Sequence, residues 1–271
     1  MTWSFSRLNA YHQCPYGWKL HYLDDVAQVG SGFADWGSLC HSIFEDYEKG
    51  NLADFELLDA YEERYPQYMQ NDFPPIRGIP MADRYYERGR ELFASFPGFP
   101  ENWEVLGVEL RVDFEIDGNQ FVGFIDLLVR DKEDGRLIVI DHKSKSKFKS
   151  PEEQAHYAIQ LYLYAYWVYL HYGERPKELI FDMFRAGNMV RIPYRQEDQD
   201  AAIEWFLDTI RQIYQDEAFE SAPLQTLAAM NAAAPGSRQQ RYFESQLKSA
   251  QWFCHFLCSS RLECSDWMKG E

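Results

Sequence analysis

The chain has 271 residues, of which 46% are hydrophobic and 17% aromatic, and its formal net charge is −16. This length and apolar content suffice for one large domain, or two small ones, with a substantial core. An acidic surface repels nucleic acid at long range, so any nucleic-acid site must be a local basic patch. The N-terminus lacks an apolar signal segment, and no stretch approaches the roughly 18 apolar residues of a membrane span. We therefore expect a soluble, cytoplasmic protein without a membrane association.

Hydrophobic periodicity predicts helices first and strands afterwards. The first four predicted helices cover 4–22, 36–49, 54–70 and 80–96. Alternating residues then predict a three-stranded meander at 104–116, 120–130 and 136–143, with turns at 117–119 and 132–135. The last predicted elements are a helix at 151–172 between Ser150 and Gly173, a hairpin at 178–194, a helix at 197–219 and a linker at 227–239.

This order of elements predicts an α/β fold. A mixed central sheet of about five strands would be flanked by helices, because helical and extended segments alternate after residue 100. We expect a single domain over 1–271. Its parts would be an N-terminal helical part (1–100), a sheet core (101–195), and C-terminal helices with a cysteine cluster (196–271).

A carboxylate and a lysine end the third predicted strand. Residues at i and i+2 of a strand share a face, so Asp141 and Lys143 point the same way and His142 points the other way. The turn at 132–135 can bring Asp126, on the preceding strand, close to Asp141. Two adjacent carboxylates repel each other unless a cation lies between them, and a divalent ion with oxygen ligands meets that need. An Asp-x-Lys pair is also common at solvated strand ends, so this pair alone decides nothing.

Four further residues are candidates for the same site. His41 lies on the second predicted helix, although a lone helical histidine is more often structural or exposed. Glu109 lies on the first strand of the meander, where a solvated position is an equal alternative. Gln160 and Tyr164 are four residues apart and share one face of the helix at 151–172. A satisfied glutamine beside an aromatic core is the alternative interpretation of that pair.

Taken in order, these residues resemble the RecB-type branch of the PD-(D/E)XK nuclease superfamily. The motifs G-x-x-x-H, G-x-I-D, D-x-K and Q-x-x-x-Y span residues 37–164. They are Gly37 with His41, Gly123 with Asp126, Asp141 with Lys143, and Gln160 with Tyr164. The resemblance implies a restriction-endonuclease-like core that hydrolyses phosphodiester bonds with a metal-activated water.

The resemblance also implies a role for each residue. The implied ligands of Mg²⁺ or Mn²⁺ are His41, Asp126, Asp141 and the backbone carbonyl of His142, with Glu109 as an additional candidate. Lys143 would position or activate the attacking water. Gln160 and Tyr164 would contact DNA or support the helix beside the metal site.

The cysteines predict a second metal site. Five cysteines in a chain without a secretory signal argue against disulfides. Cys254, Cys258 and Cys264 form a C-x3-C-x5-C pattern, and Cys14 precedes a proline near the other end; Cys40 is interpreted as a core residue. Four thiolates suit a 4Fe–4S cluster or Zn²⁺, and free buried thiols are the remaining alternative.

The resemblance bears on that choice. AddB-type and CRISPR adaptation nucleases carry one N-terminal cysteine, often before a proline, and a C-terminal trio. It therefore implies a structural 4Fe–4S cluster on Cys14, Cys254, Cys258 and Cys264 that joins the N- and C-terminal helical segments. The first gap of the trio is one residue longer than the usual C-x2-C-x5-C, which puts the role of Cys254 in question.

Alternating lysines follow the D-x-K motif. If the chain is extended there, Lys145, Lys147 and Lys149 line one side and could neutralise several DNA phosphates beside the metal site. A solvated lysine-rich loop is the alternative. No base-reading motif is present, so backbone contacts without sequence specificity fit best.

We therefore expect a metal-dependent DNA exonuclease that acts on single-stranded DNA or DNA ends, in recombination, repair or phage DNA processing. The sequence has no P-loop motif, so the chain is not itself a helicase, although it could act with a helicase or a recombination partner protein. The alternative is an iron–sulfur DNA-binding or assembly subunit, of the CRISPR-adaptation or recombination kind, with little nuclease activity.

Overall fold

The computed structural model describes residues 1–76 and 78–266. The helices within these ranges are α1 (Phe5–Gln13), α2 (Pro15–Tyr22), α3 (Gly32–Glu48), α4 (Leu57–Tyr68), α5 (Met81–Ala94), α6 (Pro151–Tyr172), α7 (Gln196–Gln215), α8 (Ala222–Ala232) and α9 (Arg238–Phe256). The strands are β1 (Trp103–Ile116), β2 (Asn119–Asp131), β3 (Leu137–His142), β4 (Glu178–Met183) and β5 (Asn188–Pro193). No helix in the described part of the chain is both long enough and apolar enough to cross a membrane.

The five strands form one mixed sheet in the order β1-β2-β3-β4-β5. Strands β1, β2 and β3 are an antiparallel meander, β3 and β4 are parallel, and β4 and β5 are an antiparallel hairpin. The β1–β2 turn has positive φ at both Asp117 (49°) and Gly118 (76°), as two-residue hairpin turns require. The predicted mixed sheet of about five strands is therefore confirmed.

Helix α6 makes the parallel pairing of β3 and β4 possible. Parallel neighbours need a long crossover, and α6 supplies it. Its start is fixed by Ser150, whose hydroxyl accepts a hydrogen bond from the Glu153 backbone N–H at 3.2 Å. Its end is fixed by Gly173, which adopts a left-handed conformation (φ 71°). All six residues of β3 are buried, so the strand that ends in Asp141 and His142 lies inside the sheet.

The packing of α3 against its neighbours fixes the helix that carries His41. An apolar cluster joins α3 to α4 and α5 and includes Trp36, Phe44, Tyr61 and Phe93. The indole N–H of Trp36 donates to the Tyr61 hydroxyl at 3.2 Å. Burying each such aromatic side chain contributes roughly 1.5–3 kcal/mol, so the position of α3 is strongly determined.

Two predicted segments differ from the observed ones. The single helix at 4–22 is wrong: the chain forms α1 and α2, separated at Cys14. Pro15 cannot donate an intrahelical hydrogen bond and forces the preceding residue out of the helical region, and Cys14 is accordingly extended (φ −163°, ψ 102°). The linker at 227–239 is also too long, because α8 runs to Ala232 and α9 begins at Arg238.

The described residues form two compact units. One contains residues 1–5 and 32–208, and the other contains 6–31 and 209–271. In the second unit the two distant chain segments are in contact: the Tyr11 hydroxyl donates to Asp216 at 2.8 Å, and the rings of Trp18 and Phe219 stack with centroids 5.9 Å apart. The predicted single domain over 1–271 stays a prediction.

Candidate active site

Three of the candidate ligands meet at the edge of the sheet next to α3. His41 from α3, Glu109 from β1 and Asp126 from β2 present ligand atoms that all lie within 4.8 Å of one another. All three residues are partly buried. An imidazole nitrogen with two carboxylates is a donor set that Mg²⁺, Mn²⁺ and other divalent ions accept. His41 and Asp126 belong to two of the sequence motifs, and Glu109 is the additional candidate on the first strand of the meander.

Glu109 occupies an unusual backbone conformation. Its φ is 50°, in the left-handed region, within an otherwise extended strand. A register shift lies between Val105 and Gly107 on the same strand. A left-handed conformation at a non-glycine residue costs on the order of 1–3 kcal/mol and is concentrated at functional sites. Here it occurs at the residue whose carboxylate faces His41 and Asp126.

Asp126 and Asp141 lie side by side on β2 and β3. The last paired residues of the two strands are Leu127 and Ile140, and Asp126 and Asp141 are the next residues beyond that pair. Burial, followed by the negative charge of Asp141, raises the pKa of Asp126 to about 8. The backbone N–H of His142 donates to Oδ2 of Asp126 at 2.6 Å and holds that carboxylate in place. A divalent cation would remove the repulsion that raises this pKa.

Lys143 is held by a chain of polar contacts. Its Nζ lies 2.6 Å from Oδ2 of Asp141, which is only 2% exposed. Nζ also donates to Oε1 of Gln160 at 3.1 Å, and Nε2 of Gln160 donates to the Tyr164 hydroxyl at 2.8 Å. Among the described residues, Oδ2 of Asp141 makes this ion pair but no hydrogen bond of good geometry.

Tyr164 belongs to the support of the site. Its side chain is only 4% exposed, too little for contact with DNA. Of the two implied roles, DNA contact and support of the helix beside the metal site, burial therefore favours support. A Cβ at Gly123 would lie 2.7 Å from Cε1 of Tyr164, so the glycine of G-x-I-D is needed for the ring to pack against β2. Gly37 differs, because a Cβ there would meet Ser144 only at an ordinary 3.5 Å.

His41 is neutral at physiological pH. Burial, followed by the nearby charges of His142 and Lys143, lowers its pKa to about 3 despite an opposing hydrogen bond to the His142 backbone. A metal ligand must be the neutral imidazole, so the surroundings of His41 already favour the state that binds a cation. Because this hydrogen bond involves the His142 backbone, the predicted backbone ligand also lies beside His41.

The side chain of His142 belongs to a polar group that sequence reasoning missed. Its Nε2 is 2.7 Å from Oε1 of Glu48, and its Nδ1 is 2.8 Å from Oδ2 of Asp182. Its ring stacks on Phe44 with centroids 5.2 Å apart. Burial opposes the charged imidazole, but the two carboxylates outweigh it and raise the pKa of His142 well above its ordinary value. We call Glu48, His142 and Asp182 the buried triad.

A weak signal for the buried triad exists in the sequence. Glu48 follows His41 by seven residues, two helical turns along the same face, and Asp182 interrupts an apolar strand. Their meeting with His142 depends on the pairing of His142 with Asp182 across β3 and β4. That register is not readable from the sequence.

Lys145, Lys147 and Lys149, which follow the D-x-K motif, differ in their surroundings. Residues 143–150 belong to neither a helix nor a strand. Lys145 forms an ion pair with Glu153 at 2.8 Å, and its Nζ lies 4.4 Å from the centroid of the Tyr157 ring. Lys147 and Lys149 are exposed. This segment is a loop, and contact of its lysines with DNA stays a prediction.

The four candidate cluster cysteines all belong to the unit formed by 6–31 and 209–271. Burial, followed by the neighbouring thiols of Cys14, Cys258 and Cys264, raises the pKa of the Cys254 thiol to about 12. Sγ of Cys14 accepts hydrogen bonds from the backbone N–H groups of Gly17 and Ala222, each at 3.4 Å. The four thiols thus face one another closely enough to interact electrostatically.

Comparison with known proteins identifies the family. The model of the PD-(D/E)XK nuclease superfamily matches residues 2–239. The chain belongs to the PD-(D/E)XK nuclease superfamily. The Gene 69 protein of Mycobacterium phage D29 is 27% identical to this PD-(D/E)XK protein over an alignment of 234 residues, and the match covers 76% of this chain and 82% of the phage protein.

A solved structure has a similar fold. The crystal structure named "Putative exonuclease" from Eubacterium rectale superposes with a TM-score of 0.53 at 12% sequence identity, covering 87% of this chain and 90% of that chain. At this identity the likeness concerns the fold. The superfamily assignment and this fold agree with the mixed sheet on which Asp126 and Asp141 lie.

The residues present fit the divalent ion that this superfamily usually employs. A neutral imidazole, two partly buried carboxylates and the buried Asp141 supply a nitrogen and several oxygens. The unfavourable proximity of Asp126 and Asp141 and the incompletely bonded Asp141 oxygen are both relieved by a cation.

Proposed function

We propose that this PD-(D/E)XK nuclease is a Mg²⁺- or Mn²⁺-dependent DNA exonuclease of the RecB-like branch, acting on single-stranded DNA or DNA ends. The observation that carries the proposal is the grouping of His41, Glu109 and Asp126 beside the Asp141–Lys143 pair. A bound divalent ion would polarise the phosphodiester and lower the pKa of a water molecule. The chain's own residues then determine where that water and the DNA lie.

Each side chain has a defined task in this proposal. His41, Glu109, Asp126, Asp141 and the carbonyl of His142 would hold the ion. Lys143 would orient the attacking water and stabilise negative charge on the phosphoryl oxygens, because its ammonium is held at the site by Asp141 and Gln160. Lys145, Lys147 and Lys149 would contact DNA phosphates next to the site.

The comparisons support the DNA and exonuclease parts of the proposal. The structure of similar fold carries the name of an exonuclease, and the relative found by sequence is a phage protein. Both are consistent with a role in phage DNA processing, recombination or repair, together with a helicase or recombination partner protein. No base-specific contact is needed for such a reaction.

The proposal is tested with end-labelled linear DNA, single-stranded and double-stranded, and with circular single-stranded DNA. We expect wild-type protein to degrade the linear single strand with Mg²⁺ or Mn²⁺, to spare the circle, and to stop in EDTA. Asp141→Asn should lower the rate by about a thousandfold, because it removes a charged ligand and the partner of Lys143. Wild-type protein that binds DNA without cleaving it in either metal would instead support an inactive DNA-binding subunit.

We further propose that Cys14, Cys254, Cys258 and Cys264 bind a structural 4Fe–4S cluster. The sulfur of Cys14 accepts hydrogen bonds from two backbone N–H groups, and the thiol of Cys254 has Cys14, Cys258 and Cys264 as neighbours. One isolated cysteine with a distant trio is less typical of zinc, whose motifs usually have two close pairs of ligands. The cluster would stabilise the unit formed by 6–31 and 209–271.

Replacing Cys14 with serine is therefore expected to remove the cluster. Anaerobically purified wild-type protein should contain iron and acid-labile sulfide in equal amounts and absorb near about 400 nm. The variant should lose both signals and melt at a lower temperature, because cluster binding contributes to folding. Cys40→Ala is the matched control: Cys40 is a buried core residue of the other unit, so its loss should leave iron unchanged. Wild-type protein that contains zinc and no iron would contradict the assignment.

A further inference from the structure

Three neighbouring cavities lead away from the candidate metal site. The cavity that includes His41 and Glu109 has a volume of about 490 Å³. It shares Phe33 and Ser144 with a second cavity of about 270 Å³, and the second shares Tyr85, Ser146 and Arg185 with a third of about 660 Å³. We call this path the Arg185 groove; its wall contains Phe33, Ser144, Ser146, Tyr85, Arg84 and Arg185. All of it lies within one compact unit.

The far part of the Arg185 groove carries cations without anionic partners. Within the described residues, Arg84, Lys147 and Arg185 form no ion pair with a carboxylate. Of the two glutamates of the third cavity, Glu91 pairs with Arg88 at 3.0 Å, and Glu87 lies 3.2 Å from Arg90, which also pairs with Glu62 at 2.7 Å. In a chain of net charge −16, an unbalanced group of cations attracts a polyanion locally.

The position of Arg185 is fixed by its neighbours. Its Nη1 donates to the Tyr85 hydroxyl, and its Nη2 donates to Oγ of Ser146 at 3.1 Å. Its guanidinium lies 5.5 Å from the centroid of the Tyr85 ring. These contacts use two of the five donors of the guanidinium and leave the others for a phosphate. A pre-positioned arginine loses little conformational entropy when it binds.

Aromatic rings lie among these cations. The rings of Phe33 and Tyr85 are 5.1 Å apart, and both residues line the groove while remaining partly exposed. Alternating cations and aromatic faces are typical of sites for single-stranded nucleic acid, since phosphates bind the cations and unstacked bases pack on the rings. A duplex keeps its bases stacked and would leave the rings unused.

We propose that the Arg185 groove binds the single-stranded DNA segment adjoining the cleaved bond, with phosphates on Arg84, Lys147 and Arg185 and a base against Phe33 or Tyr85. The inference rests on the proposed function, since it assumes that DNA is the substrate. It assigns to α5 and to the β4–β5 turn a substrate-holding role that no sequence motif indicated. Arg84 and Arg185 thus contribute to affinity for a long strand and leave the chemical step unchanged.

The first test measures binding in EDTA, where no cleavage occurs. The probe is a fluorescein-labelled single-stranded 20-mer of thymidine, read by fluorescence anisotropy. The variant Arg84→Gln/Arg185→Gln should bind roughly tenfold more weakly, and its salt slope should fall by about 1.4, or 0.7 for each lost phosphate contact. Arg84→Gln alone, at an exposed residue whose side chain has no hydrogen-bond or ion-pair partner within residues 1–76 and 78–266, should show about half the loss of slope even if the double variant is less stable.

The matched control is Lys177→Gln. It removes one exposed positive charge just before β4, at the end of that strand opposite to Arg185, and should bind like wild type. Equal binding of the 20-mer by wild type and the double variant would overturn the proposal. If wild-type protein binds duplex DNA more tightly than the 20-mer, and the double variant loses this preference, the groove binds duplex DNA. That result would overturn the proposal that the groove binds a single strand.

A second readout separates this inference from the proposed function. Hydrolysis of the p-nitrophenyl ester of thymidine 5′-phosphate, with Mn²⁺, requires only the metal site. The double variant should hydrolyse it at the wild-type rate, whereas its KM for the 20-mer should rise about tenfold with kcat unchanged. A wild-type protein that hydrolyses neither substrate contradicts the proposed nuclease, while the anisotropy result still decides whether the groove binds the strand.

Discussion

Lys143→Met is expected to lower kcat for DNA cleavage by about 10²- to 10⁴-fold, the range for loss of one group that positions or activates a nucleophile. Methionine retains the length of the side chain and removes its charge. The ammonium lies 2.6 Å from Asp141 and donates to Gln160, so its position beside the site is well determined. The measurement is single-turnover cleavage of end-labelled single-stranded DNA at saturating Mg²⁺.

The stability of Lys143→Met and its affinity for Mn²⁺ distinguish a chemical role from a structural one. The lysine contacts water as well as protein, so we expect its replacement to change the melting temperature by only a few degrees. Removing a positive charge next to the ligands should leave Mn²⁺ binding intact or tighter. Lys177→Met, far along the sheet, serves as the matched control. A Lys143→Met enzyme with more than a tenth of wild-type kcat would rule out the water-positioning role.

His142→Phe is expected to destabilise the protein by about 3–5 kcal/mol, because it leaves the carboxylates of Glu48 and Asp182 buried without their shared cation. This is a large share of the roughly 5–15 kcal/mol that stabilises a typical domain. The phenyl ring can take the place of the imidazole against Phe44, so lost packing is a minor contribution. Urea unfolding of metal-free protein measures the change.

A triple replacement provides the control for the buried triad. In Glu48→Met/His142→Phe/Asp182→Leu no buried charge remains, and apolar residues of similar size fill the space. Replacing a whole buried ionic group in this way is often neutral or stabilising, so most of the loss should be recovered. A His142→Phe variant within about 1 kcal/mol of wild type would mean that water or a rearranged partner satisfies the two carboxylates.

The parts of the fold that the sequence predicts are those with local causes. Ser150 and Gly173 bound α6 through hydrogen bonds and conformations made within a few residues. The turn at Asp117 and Gly118 depends only on which residues accept positive φ. The pair Asp141 and Lys143 shares a face because strands alternate. These features therefore follow from short stretches of the chain.

The features that the sequence did not predict depend on long-range geometry. The two contacts of His142 join it to residues 94 and 40 positions away, and they exist only in the observed register of β3 with β4. The left-handed conformation of Glu109 is imposed on a residue type that does not favour it. The cations of the Arg185 groove come from α5, a loop and a hairpin turn, which share no motif.

The parallel pairing of β3 with β4 has a consequence for the protein while it is being made. Every candidate ligand of the divalent ion has been translated by residue 143, yet the backbone N–H of Lys143 donates to the carbonyl of Asp182 at 2.8 Å, in a strand that ends at Met183. At roughly 5–20 residues per second, a ribosome needs about 2–8 s to add those 40 residues. During that interval the nascent chain contains these ligands without the strand that orders them. The topology thus delays assembly of the site until most of the chain has been translated.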